Sequence, residues 1–173
     1  MVADELDASA LIHRELTRVG VKLAATLPDD WVGPLIGRID ADRAIRHVPV
    51  ARESEAVVIA SGAFFAGAKA VAIIGNTGLL TCTGELATLN LRHQIPVFCI
   101  VSMRGTYDDH RIWQEVQGRR TIPLLEAYDF PYQVLDSRDQ IGCIPAVYEA
   151  SRLQKRPYIL FLTRSLLKGK VWR

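Results

Sequence analysis

Apolar and polar positions along the chain change period repeatedly, and the changes mark alternating helices and strands. Residues 6–19 carry apolar side chains at Ala8, Leu11, Ile12, Leu16 and Val19, one face of a helix with charges elsewhere, and Gly20 follows as a C-terminal cap. Residues 22–27 read as a short strand ending at Pro28. The acidic pair Asp29-Asp30 before Trp31 can open a helix through Leu35 and Ile39, with Pro34 near its first turn. The pattern then predicts a strand over 45–50, a helix over 53–68, a strand over 70–74, a turn at 75–78 and a helix over 83–92. A fully apolar strand follows at 96–101, then a polar loop with a short helix at 105–118. The last elements are a helix at 120–128, a strand at 132–135, a helix at 139–153 and a strand at 158–162.

Strands that alternate with helices and are themselves continuously apolar imply a mostly parallel sheet of about six strands, covered by helices on both faces. With no repeat, low-complexity run or linker in 173 residues, the expectation is a single three-layer α/β domain over the whole chain. In such sheets ligands gather beyond the carboxyl ends of the strands. That places residues 28–30, 51–53, 75–78 and 102–105 at one rim, where the chemistry is expected.

Composition narrows the classes. A net charge of +2 without Lys/Arg runs or interleaved aromatics argues against a nucleic-acid surface. The acidic start MVADELDASA lacks the features of a signal peptide. The stretch 56–84 is cut by Lys69 into pieces too short or too rich in glycine and threonine for a membrane span. Cys82, Cys99 and Cys143 are odd in number, widely spaced and without zinc-ligand spacing. They read as buried free thiols in a reducing cytoplasm.

From residue 56 to 68 only Ser61 is polar, so the helix that Glu53 opens is apolar nearly all round and needs cover beyond its own sheet, such as a partner protein. Glu53 shares a face with Ala56, Val57, Ala60 and Phe64. A carboxyl held against that surface loses hydration, which raises its pKa. The plainer alternative is that Glu53 and Glu55 simply complement the helix dipole. Asn76 and Thr77 can bond an anionic substrate group beside Gly78, or NTG is only a favourable turn. Arg104, at the end of the strand PVFCIVS, suits an anion or is an ordinary surface arginine. His47 and His110 favour structural and surface roles, Asp29 and Asp30 helix capping, and Trp31 and Phe64-Phe65 packing.

The runs ARESEAVVIASGAFFAG, IIGNTGLL and IPVFCIVSMRG resemble the pyrimidine-binding domain of thiamine diphosphate enzymes, most closely the α-subunit family of sulfopyruvate and phosphonopyruvate decarboxylases. LPDDWVGPLI, IRHVPVARESEA and QGRRTIPLLEAYDFPY extend the similarity over about residues 10–135. In that family a glutamate followed nine residues later by glycine is the acid that activates the cofactor by sharing a proton with N1′ of its aminopyrimidine; the spacing selects Glu53, with Gly62. The resemblance implies cofactor contacts from Glu53, Pro28, Asn76 and Gly78, and substrate contacts from Asn76, Thr77 and Arg104. It implies non-oxidative decarboxylation of a small 2-oxo acid to an aldehyde, with no metal ligand on this chain. One departure is Met103, where those α subunits commonly have histidine, which points to a less polar substrate.

The family holds the diphosphate through a divalent metal in a second domain bearing Gly-Asp-Gly, and that pattern, GxGxxG and a Walker loop are absent from the sequence. The expected assembly is therefore a hetero-oligomer in which a diphosphate-binding β subunit holds Mg2+ and the thiamine diphosphate tail. A carboligase half and a non-catalytic regulatory subunit are the alternatives.

Overall fold

A computed structural model describes residues 7–107 and 109–169. The first residue of the helix expected at 6–19 and the acidic opening at 1–6 lie outside them. Helix α1 (Ala8–Val19) is capped by Asp7, whose Oδ1 accepts from the Ala10 N–H, and ends at Gly20 in the left-handed conformation (φ 85°). Then follow β1 (Leu23–Thr26), α2 (Gly33–Ala41), β2 (Arg46–Pro49), α3 (Glu53–Phe65) and β3 (Ala70–Gly75). Next come α4 (Asn76–Thr81), α5 (Thr83–Glu85) running into a π-helical turn (Leu86–Leu91), and β4 (Val97–Ser102). A 3-10 turn (Ile112–Gln114) leads into α6 (Glu115–Ala127). The chain continues through β5 (Tyr132–Leu135), a 3-10 turn (Arg138–Cys143), α7 (Ile144–Gln154), β6 (Pro157–Leu162) and α8 (Arg164–Lys168).

The six strands form one sheet in the order β2-β1-β3-β4-β6-β5, and every pairing is parallel. Side chains alternate between its faces, as the two-residue period of a strand demands. Val71 and Ile73 of β3 pack with Ile12, Leu16, Leu35 and Ile144 beneath α1, α2 and α7. Their neighbours Ala72 and Ile74 pack with Val57, Leu79, Leu86 and Leu125 beneath α3, α4 and α6. Two apolar cores on opposite faces of one parallel sheet make the three-layer α/β arrangement expected from the pattern.

The strand order reverses at β1: β2 lies on one side of it, and the chain then crosses back so that β3 lies on the other. The crevice at such a reversal opens at the carboxyl ends of β1 and β3. Here β1 leads into Leu27 and Pro28, and β3 into Asn76, on either side of that opening.

The differences from the expected elements cluster around this rim. The turn expected at 75–78 is already helical, α4 starting directly at Asn76. Helix α6 begins at Glu115, not at 120, so Pro123 lies in its interior. The short α8 has only Leu166 buried, too little periodicity to announce it. Phe64 and Phe65 contact each other edge to face, but Phe65 is 73% exposed, so it is a surface residue of this chain and not core packing.

Candidate active site

The rim loops enclose a cleft of about 230 Å3 lined by every residue the sequence singled out for it: Pro28, Glu53, Asn76, Thr77, Gly78 and Arg104. Leu27, Asp29, Gly75 and Gln114 complete its wall. Each loop reaches the cleft for a local reason.

The two glutamates at the start of α3 divide the roles that sequence left open between them. Glu55 Oε2 accepts from the backbone N–H groups of Ala51 and Arg52 at 2.9 and 3.1 Å, closing the exposed helix start. That leaves Glu53 free of capping. Its side chain, half-buried, extends across to α4 and lies against Gly78. A β-carbon built on Gly78 would sit 2.1 Å from Glu53 Cγ and Cδ and 2.2 Å from Oε1. Gly78 has ordinary helical backbone, so it is the space above its α-carbon that matters, and the Glu53 carboxyl uses it.

Asn76, at the start of α4, is fully buried. Its Nδ2 donates to the Arg104 carbonyl at 3.0 Å and to Thr121 Oγ1 at 3.3 Å, tying the ends of β3 and β4 to α6. Both amide donors are thus committed, and Oδ1 has no hydrogen-bond partner. With both amide N–H groups engaged within the protein, Asn76 has no side-chain donor free for a substrate carboxylate, and its unpaired Oδ1 is buried. Thr77 is exposed beside it, its hydroxyl donating to Gln114 Oε1 at 3.3 Å.

Arg104 is not the exposed surface arginine of the plainer expectation: the residue is only 5% exposed. Its guanidinium stacks on Trp31 at 4.3 Å from the ring centroid, and its Nε donates to Asp109 Oδ2 at 2.9 Å. Asp109 also accepts from the backbone N–H of Gly105 at 2.9 Å and of Arg111 at 3.2 Å. Burial alone would raise this carboxyl; the hydrogen bonds from Arg104, Gly105 and Arg111 outweigh it and hold Asp109 below the usual carboxylate range. Met103 packs in the apolar core on the α3 side of the sheet and is not part of the cleft wall.

The segment after Arg104 folds back over the rim as a strap. Gly105 has φ +75°, and a β-carbon there would lie 1.9 Å from the Gln114 carbonyl oxygen; at Gly118 one would lie 2.3 Å from the Gly105 oxygen. This glycine-to-glycine approach closes the strap on itself and brings Gln114 to the cleft. Arg111 pairs with Asp30 and fastens the strap to the β1–α2 loop. Asp29 caps the turn before α2, its Oδ1 accepting from the N–H groups of Trp31 and Val32 at 2.8 and 3.0 Å while Ser102 Oγ donates to Oδ2. His47 keeps the structural role expected of it, bonded through Nε2 to Thr26 Oγ1 at 2.8 Å and through Nδ1 to Asp40 Oδ1 at 2.7 Å. His110 is exposed.

A cleft with one uncommitted carboxyl opposite a glycine, a buried acceptor and the apolar edge of Leu27 and Pro28 suits a flat nitrogen heterocycle. Among the described residues no three His, Cys, Asp or Glu side chains come together to hold a metal ion, and no helix is long and apolar enough to cross a membrane. Cys82, Cys99 and Cys143 are free thiols; the first two are buried and Cys143 is half-buried.

Comparison with known proteins agrees with this geometry. The sulfopyruvate decarboxylase subunit alpha of Methanothermobacter thermautotrophicus is 32% identical over 142 residues, covering 80% of this chain and 86% of its own. Phosphonopyruvate decarboxylase of Streptomyces viridochromogenes is 32% identical over 88% of this chain, which spans 39% of that enzyme. The structure of 2-oxoglutarate:ferredoxin oxidoreductase from Magnetococcus marinus superposes on 94% of this chain and 29% of its own with a TM-score of 0.65, at 13% identity, a likeness of fold. The family model described as the thiamine pyrophosphate enzyme, N-terminal TPP binding domain, matches residues 6–124, a span that holds the entire wall of the cleft, and the chain belongs to that family.

Proposed function

We propose that this chain is the pyrimidine-binding α subunit of a thiamine-diphosphate-dependent, non-oxidative 2-oxo acid decarboxylase. Its reaction converts a small 2-oxo acid to an aldehyde and CO2, at a site shared with a diphosphate-binding β subunit. The observation that carries the reading is Glu53, relieved of capping by Glu55 and laid against Gly78 in the rim cleft of a chain of this family.

The residues present fit the aminopyrimidine half of the cofactor. Gly78 leaves room for the Glu53 carboxyl, Leu27 and Pro28 offer apolar surface to a ring, and Glu53 is the group placed to exchange a proton with ring nitrogen N1′. Asn76 Oδ1 supplies a buried acceptor that is otherwise unpaired. When bound, thiamine diphosphate supplies the electron sink that lets CO2 depart. Thr77 and Arg104 are the donors on this chain for the carboxylate that every 2-oxo acid carries.

In this reading the diphosphate and Mg2+ are held by the β subunit, whose domain in this family carries the Gly-Asp-Gly run. The relatives named as α subunits support such a partner. Its contact is the outer stripe of α3, where Val58, Gly62 and Phe65 are exposed on one helix face.

The test is to purify the chain together with its β subunit and follow CO2 release from a panel of 2-oxo acids with thiamine diphosphate and Mg2+. Glu53→Gln is expected to lower kcat by about 10²–10⁴-fold, the range for a general acid–base group, with assembly intact. Full turnover by this variant ends the assignment. A β subunit fully active alone makes this chain regulatory, and a ligated ketone formed with an acceptor aldehyde makes it half of a carboligase.

A further inference from the structure

The charges around the cleft bear on which 2-oxo acid it takes, a point that rests on the decarboxylase reading. The charged residues in the cleft wall are Asp29, Glu53 and Arg104. Arg104 is thus the one cation among the described residues of the wall, and its charge is already answered. Asp109 lies against its Nε and, at 3.4 Å, its Nη2, and the two side chains are 6% and 3% exposed. Two further backbone donors anchor Asp109, so the pair is a fixed, nearly dry unit with no net charge. The next cation along the strap, Arg111, is spent outward on Asp30.

A substrate entering this cleft beside the cofactor meets a neutralised arginine and the carboxylate of Asp29. One anionic group can be met by the guanidinium edge of Arg104, and by the hydroxyl of Thr77 once it turns from Gln114. A second, on the tail of the same small molecule, finds no unpaired cation among the described residues of the cleft wall and is repelled by Asp29. We infer that the enzyme selects 2-oxo acids with an uncharged tail over those carrying a sulfonate or phosphonate, and that Asp109, acting through Arg104, is the residue that sets this preference.

The experiment compares kcat/KM of the complete two-subunit enzyme for pyruvate and 2-oxobutyrate with that for sulfopyruvate and phosphonopyruvate. The uncharged-tail acids are expected to be favoured tenfold or more, the difference lying mainly in KM. Equal or higher efficiency on either dianionic substrate overturns the inference while leaving the decarboxylase reading standing. Absence of CO2 from every acid sinks that reading and takes this inference with it. Two variants probe the charges directly. Asp109→Asn, which uncovers the Arg104 charge, and Gln114→Lys, which adds a cation to the wall, are each expected to move the ratio at least tenfold towards the dianionic acids. A merely structural loss lowers both substrates alike, so an unchanged ratio in both variants overturns the role of Asp109.

Discussion

The Glu53 carboxyl occupies the volume that a side chain on Gly78 would need, with 2.1 Å separating a β-carbon built there from Glu53 Cδ. The two residues come from different helices, α3 and α4, which the parallel sheet brings together at its carboxyl rim. Gly78→Ala must therefore displace Glu53. The same change improves the intrinsic helix preference of α4 by about 1 kcal/mol, which offsets part of the cost of displacing Glu53. The expected outcome is CO2 release by the two-subunit enzyme lowered at least as far as in Glu53→Gln, with an unchanged circular dichroism spectrum. Normal turnover would show that the carboxyl does not work from this position.

Helix α3 yields a separate prediction. Its inner face, Ala56, Val57 and Ala60, is buried in the core, whereas Val58 is 43% exposed on the outer stripe with Gly62 and Phe65. Open space lies above Gly62 in this chain, with nothing within 4 Å of a β-carbon placed there. A glutamate at Val58 should leave the isolated chain stable to within about 0.5 kcal/mol, as substitutions on exposed surface do. It should abolish co-purification with the β subunit, because a charge buried in an interface without a partner is costly. Unimpaired pull-down of the β subunit would move the contact elsewhere.

How far the sequence foretold this site depends on the kind of contact. The apolar strands β3 and β4 were legible because every one of their residues up to Ile74 and Val101 faces one of two cores. The rim followed from the parallel topology, while Glu53 was named from its spacing to Gly62 and Gly78 from its place in the run IIGNTGLL. Helical position alone could not separate Glu53 from Glu55, since both lie in one turn; the nine-residue spacing to Gly62 that the resemblance supplies selected Glu53, and in the structure the backbone N–H groups of Ala51 and Arg52 engage Glu55 and leave Glu53 free of capping. The partners of Arg104 were illegible for a different reason. Asp109 and Trp31 reach it through the irregular path of two loops, which no periodicity encodes. Gln114 reaches Thr77 only because Gly105 and Gly118 let two backbone segments touch. A glycine pair bracketing a polar segment was the available signal. The expected loop, by contrast, took in the first four residues of what is helix α6.

The thiols offer a check on the core. Burial pushes Cys82 up to about 12, aided by the nearby Glu85 and Glu53 carboxylates, and pushes Cys99 higher still. Alkylation requires the thiolate and access to it. Native protein treated with iodoacetamide at pH 8 should therefore stay unmodified at Cys82 and Cys99 and react at both in denaturant, as read by peptide mass spectrometry. Rapid native labelling of Cys82 would mean that the α4 region behind the cleft opens readily.

Asp109 gives the clearest dependence of stability on pH. Its folded pKa lies below the ordinary carboxylate value of about 3.9, because Arg104 and the backbone N–H groups of Gly105 and Arg111 outweigh the penalty of burial. A depressed folded pKa means that the unfolded chain takes up the proton first as acid is added. The stabilisation is thus fully present above the unfolded value and drains away as pH falls through the folded one. At pH 7, Asp109→Asn removes the ionised acceptor but keeps a neutral oxygen, and leaves the Arg104 charge nearly buried without its counter-charge. The cost should be on the order of 2 kcal/mol, the scale of a hydrogen bond to a charged group. For a chain of this size that lowers Tm by about 4–8 °C. The gap between wild type and variant should narrow steadily below about pH 4, where the unfolded chain takes up a proton at this position before folded Asp109 does. A gap that stays constant down to pH 2 would show that the Arg104–Asp109 contact stabilises through its packing alone, and not through its charge.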